Sequence, residues 1–263
     1  KPTLLRLQIC RRVWECRQQA ETSRIISRQR LTGNNNGQRN LQLLPTPIQA
    51  TTATMLSMLN PFHLMEEIRM RGDPRTRDFP VAGNPFFVFT LTITYLYFVY
   101  VAGPRWMKYR KPFEITNLVR AYNLIMVYLN ARFFWLFVSH CYLPGGKYSL
   151  FCQGISKTVD PADYELYWQG SWYVLVRYVD YLDTVFFIMR KKFNQVTRLH
   201  VIHHTTVTCS AWFYFLFAPE GQPALGLCMN AFIHMVMYTY YFLSTFGPEV
   251  KKYLWWKIYL TRL

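Results

Sequence analysis

The stretch R-L-H-V-I-H-H-T-T, residues 198–206, holds three of the six histidines in a chain of 263 residues. Read as a helix, it places His200, His203 and His204 at positions i, i+3 and i+4, on one face. A largely apolar run follows as far as Phe217. Three imidazoles therefore stand side by side at the mouth of an apolar segment. Ionisable groups are costly in such a setting and mark a functional site.

Working outward, the apolar residues, 51% of the chain, gather in runs of about 20, the length that crosses a bilayer. Five runs qualify: about Pro85 to Ala102, Leu118 to His140, Trp168 to Met189, Leu199 to Phe217 and Ala224 to Phe246. A sixth begins at Tyr253. The pattern predicts an all-α fold, a polytopic membrane helix bundle. The formal net charge of +16 does not point to nucleic acid, because the bases cluster at the ends of apolar runs. The loops after the first, third and fifth runs are basic and those after the second and fourth are not, so the basic loops are expected on the cytosolic side. The histidine cluster then lies at the cytosolic mouth of the fourth run. His234 lies roughly 16 Å deep in the antiparallel fifth, within reach of facing it. Arg69, Arg71, Arg75 and Arg77 conflict with this orientation, and Glu66, Glu67, Asp73 and Asp78 offset them in net charge only.

Residues 1–54 differ from the rest. Nine Lys/Arg face only Glu15 and Glu21, and G-N-N-N-G-Q at 33–38 has no apolar period. This segment is expected to be a disordered basic leader or extension, with the membrane domain over residues 55–263. Met58, Leu59, Phe62, Leu64, Met65 and Ile68 suggest an interfacial helix, followed by a charged turn at Asp73–Asp78. The six cysteines, Cys10, Cys16, Cys141, Cys152, Cys209 and Cys228, show no C-x-x-C spacing.

Polar residues inside the runs include Asn123, Asn130, Arg132, Arg177, Asp180, Asp183, Thr184, Asn230 and His234. Arg177, Asp180, Asp183 and Thr184 share a helix face, and Arg177 pairs with Asp180 at i, i+3. That pair reads equally as a strut between helices or as a direct participant. Asp183 has no base in its own helix and is expected to accept from a histidine and set its tautomer. Tyr238, Tyr240 and Tyr241 read first as packing or interface anchors.

Two chemistries compete for the cluster. A membrane di-iron desaturase or hydroxylase uses H-x-x-H-H but needs several such boxes, and His63, His140 and His234 are scattered. The other is metal-free acyl transfer with histidine as nucleophile or base. A transporter would show repeats, and none occurs. The box itself, L-D-T at 182–184 with F-F-I-M-R-K-K after it, N-x-x-x-H-x-x-M-Y-x-Y-Y from Asn230 to Tyr241, and G-P-R-x-M-K-x-R-K-P at 103–112 together resemble the very-long-chain fatty acid elongase family. The resemblance covers about Met55 to Leu263, so the chain reads as N-terminally extended and C-terminally truncated. The family's K-x-x-E-x-x-D-T stands here as Arg177, Asp180, Asp183 and Thr184.

The resemblance implies seven spans, six of them forming a barrel around an acyl tunnel, in the endoplasmic reticulum membrane. About five spans and part of a sixth are present. It implies a 3-oxoacyl-CoA synthase that condenses a long-chain acyl-CoA with malonyl-CoA, with no cofactor and no metal. The implied partners are membrane lipid and other enzymes of the elongation cycle, with no nucleic acid. By position, His203 would take the acyl group, His234 would assist, and His200 and His204 would hold the site with Asp183 behind them. Substrate contacts fall to Asn230, Tyr238, Tyr241, Arg177 and Asp180. Lys191, Lys192 and Arg198 would meet the CoA phosphates, or serve only the charge rule of topology. Cys152 would pair with Cys141 or, as the resemblance suggests, with a cysteine beyond Leu263.

Overall fold

A computed structural model describes residues 60–146, 148–151, 153–155 and 163–257. The chain divides into two units, and the described residues fall in the second, Met58–Leu263. The expected leader and its boundary at residue 54 lie outside the described residues, as do Cys152 and most of the sixth run.

Among the described residues the regular structure is helical. α1 is Pro61–Met70, α2 Pro85–Met107, α3 Thr116–Cys141, α4 Tyr164–Val179, α5 Tyr181–Met189, α6 Arg198–Phe217, α7 Pro223–Ser244 and α8 Pro248–Lys251. The starts follow from local chemistry. Asn60, Asn84 and Thr197 precede α1, α2 and α6, and each side chain accepts a backbone N–H of the first turn, from Phe62, Phe86 and His200. Proline follows the cap at Pro61 and Pro85, where its missing N–H costs nothing.

α2 and α3 are the helices long and apolar enough to cross a bilayer among the described residues. Only 28% of the apolar window of each is buried. Ile93, Tyr97, Tyr128 and Trp135 on their outer faces are all more than half exposed. Apolar surface on this scale belongs against lipid. The other three expected runs are also helical, but they carry the polar residues of the interior. α3 packs along α7, and α4 along α6. The core between them holds Met126, Phe133, Tyr173, Val174, Val201 and Leu216, all nearly inaccessible.

Two runs differ from expectation. The first does not stop at Gly103–Pro104. A π turn over Phe98–Ala102 absorbs the hydrogen bond that Pro104 cannot donate, and the helix continues to Met107. Gly103 permits a close approach, since a Cβ there would lie 3.1 Å from Ile188 Cγ2 on α5. The third run begins at Tyr164 and breaks at Asp180 into α4 and α5. Carbonyls near the break are met from other helices. The Thr208 hydroxyl donates to the Arg177 carbonyl at 3.1 Å, and Tyr122 donates to the Val179 carbonyl at 3.2 Å. Such outside partners are what allow a helix to break at membrane depth.

The arginines before α2 are held in ion pairs. Arg69 pairs with Glu66 and Asp78, Arg71 with Glu67, and Arg77 with Asp78. Arg75 is different in kind. It is buried between Asp73, at 2.7 Å, and Glu220 beyond α6, and Tyr167 of α4 joins the same carboxylate. The Asp73 amide also donates to the Leu216 carbonyl at 2.7 Å, docking this turn on the end of α6. Burial alone would push the Asp73 carboxyl up. Hydrogen bonds from the Arg75 side chain and amide outweigh it and hold the group below the usual carboxylate range. Cys141 is a buried free thiol.

Arg75→Met takes the cation away from two sequestered carboxylates and is expected to cost about 3–5 kcal/mol. Arg71→Ala, at a position whose side chain is 75% exposed, is expected to cost less than about 0.5 kcal/mol. Denaturation of the detergent-solubilised protein compares the two, and equal losses would contradict the burial argument.

Candidate functional site

The interior polar network starts from Arg177, the largest fully buried side chain among the described residues. One terminal nitrogen lies 3.0 Å from Asp180 Oδ2, 3.0 Å from Asn230 Oδ1 and 2.8 Å from His234 Nδ1. The other donates to Asn130 Oδ1 at 2.7 Å. The guanidinium lies 4.7 Å from the Tyr173 ring centroid, and the Tyr173 hydroxyl donates to Asn230 at 2.7 Å. Three helices, α3, α4 and α7, thus converge on one cation. A charge out of water needs this density of partners.

The two aspartates share a second hub. The Tyr238 hydroxyl lies 2.9 Å from Asp180 Oδ1 and 2.7 Å from Asp183 Oδ2, with Tyr122 at 3.3 Å. Tyr238 is fully buried, so its role as an interior hydrogen-bonding group replaces the expectation of an interface anchor. Asp183 does not reach a histidine as expected. Its carboxylate turns to Tyr238, and the next residue supplies the contact instead. Thr184 Oγ1 lies 2.9 Å from His200 Nε2 and 2.9 Å from the Tyr95 hydroxyl. The side chains of 183 and 184 point about 100° apart around a helix, so one residue cannot serve both hubs.

The histidine face is formed as the spacing predicts. The His200 and His204 rings are 4.3 Å apart, and those of His203 and His204 are 5.9 Å apart. Their settings differ: His204 is buried, His200 is half-buried against Thr184, and His203 is exposed. Among the described residues, no hydrogen bond or ring contact joins His234 to this cluster. Both are tied to Arg177 instead, α7 through its guanidinium and α6 through Thr208 on its carbonyl.

The remaining expected residues fall in two places. Tyr241 stands beside Tyr238, ring centroids 6.0 Å apart. Lys191 and Lys192, half-buried, and Arg198, exposed, line the α5–α6 connection at the basic end of the bundle, near the cluster. Sequence reasoning passed over Tyr95, Tyr122, Tyr173 and Thr208 as partners. Only Tyr173 carried a signal, its i, i+4 spacing to Arg177. Toward the opposite end lies an apolar cavity of about 30 Å³, lined by Phe137, Gly170, Tyr173, Phe215 and Leu227 among others. Among the described residues, no three His, Cys, Asp or Glu side chains are arranged to hold a metal ion.

The fold and site define a helical integral membrane protein with a histidine face at its basic end and a buried arginine network behind it. The sequence matches the ELO: GNS1/SUR4 family over residues 80–263, and the chain belongs to that family. It is 41% identical to a very long chain fatty acid elongase of Aedes aegypti over 192 residues, 73% of this chain and 53% of the relative. It is 40% identical to very long chain fatty acid elongase 7 of Drosophila melanogaster over 194 residues, 73% of this chain and 57% of the relative. It is 42% identical to very long chain fatty acid elongase 4 of Mus musculus over 191 residues, 73% of this chain and 60% of the relative. The chain thus spans little more than half the length of these relatives.

Thr184→Val removes the partner shared by Tyr95 and His200 and is expected to lower stability by about 1–3 kcal/mol. Thr184→Ser keeps the hydroxyl and should stay close to the parent. Thermal unfolding in detergent reads both, and an equal loss in the two variants would point to lost packing rather than the hydrogen bonds.

Proposed function

We propose that the full-length protein is a fatty acid elongase, a very-long-chain 3-oxoacyl-CoA synthase. It condenses a long-chain acyl-CoA with malonyl-CoA to give 3-oxoacyl-CoA, CO₂ and CoA. Family membership supports the class of reaction and does not favour the di-iron alternative. The observation that carries the mechanism is the unequal setting of the three histidines on α6. The His203 ring carries no hydrogen bond among the described residues, while His200 is bonded to Thr184 and His204 is packed against both other rings.

In this reading a His203 ring nitrogen attacks the thioester carbonyl. The carbon–sulfur bond breaks, CoA leaves as its thiol and an acyl-imidazole remains. Malonyl-CoA then loses CO₂, and the resulting enolate carbon attacks the acyl carbon and releases the imidazole. His234 assists at the reacting carbonyl. No cofactor or metal takes part. Lys191, Lys192 and Arg198 meet the CoA phosphates at the basic end.

The buried state of Arg177, Asp180, Asn230 and Tyr238, all bonded to one another, supports a shaping role for them over direct substrate contact. We place the protein in the endoplasmic reticulum membrane as a multi-pass protein, beside the other enzymes of the elongation cycle, without nucleic acid.

The full-length protein incubated with a radiolabelled long-chain acyl-CoA, without malonyl-CoA, should retain label on His203, and His203→Ala should lose both the label and elongation. Label on another residue, or elongation by His203→Ala, would overturn the assignment.

A further inference from the structure

We infer that Arg177 is a positioning residue that fixes His234 as the tautomer protonated on Nε2, so that His234 meets the reacting carbonyl as a hydrogen-bond donor rather than as a base. The part of this inference that concerns the carbonyl rests on the proposed condensation. The tautomer itself does not.

A guanidinium has N–H donors and no acceptor, and it stays protonated in proteins. A terminal nitrogen of Arg177 lies 2.8 Å from His234 Nδ1. At that separation Nδ1 must accept, so it carries the lone pair and the ring hydrogen sits on Nε2. Among the described residues, the carboxylate paired with His234, and so able to favour the opposite tautomer, is Asp180. Its Oδ2 lies 3.7 Å from Nδ1, beyond hydrogen-bonding distance. Both of its oxygens are already engaged, Oδ2 by Arg177 at 3.0 Å and Oδ1 by the Tyr238 hydroxyl at 2.9 Å.

A donor that swings freely would set nothing. Arg177 cannot swing. Asn130 on α3 holds its second terminal nitrogen, Asn230 on α7 shares the first, and the Tyr173 ring covers its face. Its side chain is wholly buried. Asn230 and His234 lie one helical turn apart on α7, so one guanidinium nitrogen registers both against α4.

The consequence separates the two histidines the reaction uses. His203 needs a ring lone pair to attack. His234 offers an N–H, and a preorganised N–H aimed at a carbonyl oxygen stabilises the negative charge that grows there when the thioester is attacked. A neutral imidazole serving as an electrophile is a known solution to this problem. Arginine also accounts for an unprotonated Nδ1 although the Asp180 carboxylate, the kind of orienting group a general-base histidine usually keeps behind its ring, lies only 3.7 Å away.

The test uses the full-length protein, labelled with nitrogen-15 in its histidines and held in detergent micelles. The His234 ring signals are assigned by their loss in His234→Gln. The expected spectrum of the unaltered protein has an unprotonated Nδ1 and a protonated Nε2. A protonated Nδ1 overturns the inference without recourse to any variant. Arg177→Met should yield a mixture of tautomers and reduce kcat about 10²–10³-fold, the usual effect of losing one such donor, with KM little changed. Arg177→Lys, again a donor without acceptor, should keep the Nε2–H form. A folded Arg177→Met protein with the original His234 spectrum also overturns the inference. Should the unaltered protein show the Nε2–H form yet condense no malonyl-CoA, the proposed function falls and the tautomer assignment stands.

Discussion

A guanidinium placed among apolar helices with no access to water dictates much of the geometry around it. The buried charge of Arg177 is tolerated only while Asp180, Asn130, Asn230 and His234 remain close around it. Those residues come from three helices, so the rotation of α3 and α7 about their own axes is set by the same group. The second hub, Tyr238 between Asp180 and Asp183, extends this constraint to the start of α5. The two hubs share Asp180, and the helix breaks at that residue. The break is supported from outside by Thr208 and Tyr122, which occupy the carbonyls of 177 and 179. The polar network and the helix packing are therefore the same set of contacts in this region.

The far end of the bundle repeats the logic with opposite emphasis. Arg75 lies in a turn between two helices, yet it is as enclosed as a core residue, and its partners Asp73 and Glu220 come from segments 147 positions apart. It ties the approach to α2 to the end of α6 and, through Tyr167, to the start of α4. One ionic knot at each end of α4 holds the helix in place lengthwise. The apolar cavity lies between them, and Tyr167 of one knot and Tyr173 of the other both line it.

Much of this was legible in the amino-acid order. Apolar runs located the helices, the i, i+3, i+4 spacing placed His200, His203 and His204 on one face, and Arg177 with Asp180 announced a pair. What remained hidden depended on how helices rotate against each other. Nothing in residues 116–141 says that Asn130 faces Arg177 while Arg132, two residues on, faces Gln169 at the rim. Asp183 and Thr184 are neighbours, and only the packing decides that the threonine rather than the aspartate meets His200. The four arginines before α2 gave no sign of their partners, because pairing with Glu66, Glu67, Asp73, Asp78 and Glu220 is a matter of folding, partly between distant segments.

The π turn in α2 has a consequence for comparing related chains. A π turn accommodates one extra residue in a helix without lengthening any loop. Each residue advances a helix by about 100°, so the turn at Phe98–Ala102 shifts the phase of everything after it by that amount. The inward face before the turn is written at Val88, Thr92 and Tyr95, and after it at Gly103 and Met107. A relative lacking one residue in this stretch would keep its span and its loops. It would differ in winding, and its single-residue gap would mark a regular helix where this chain has a bulge.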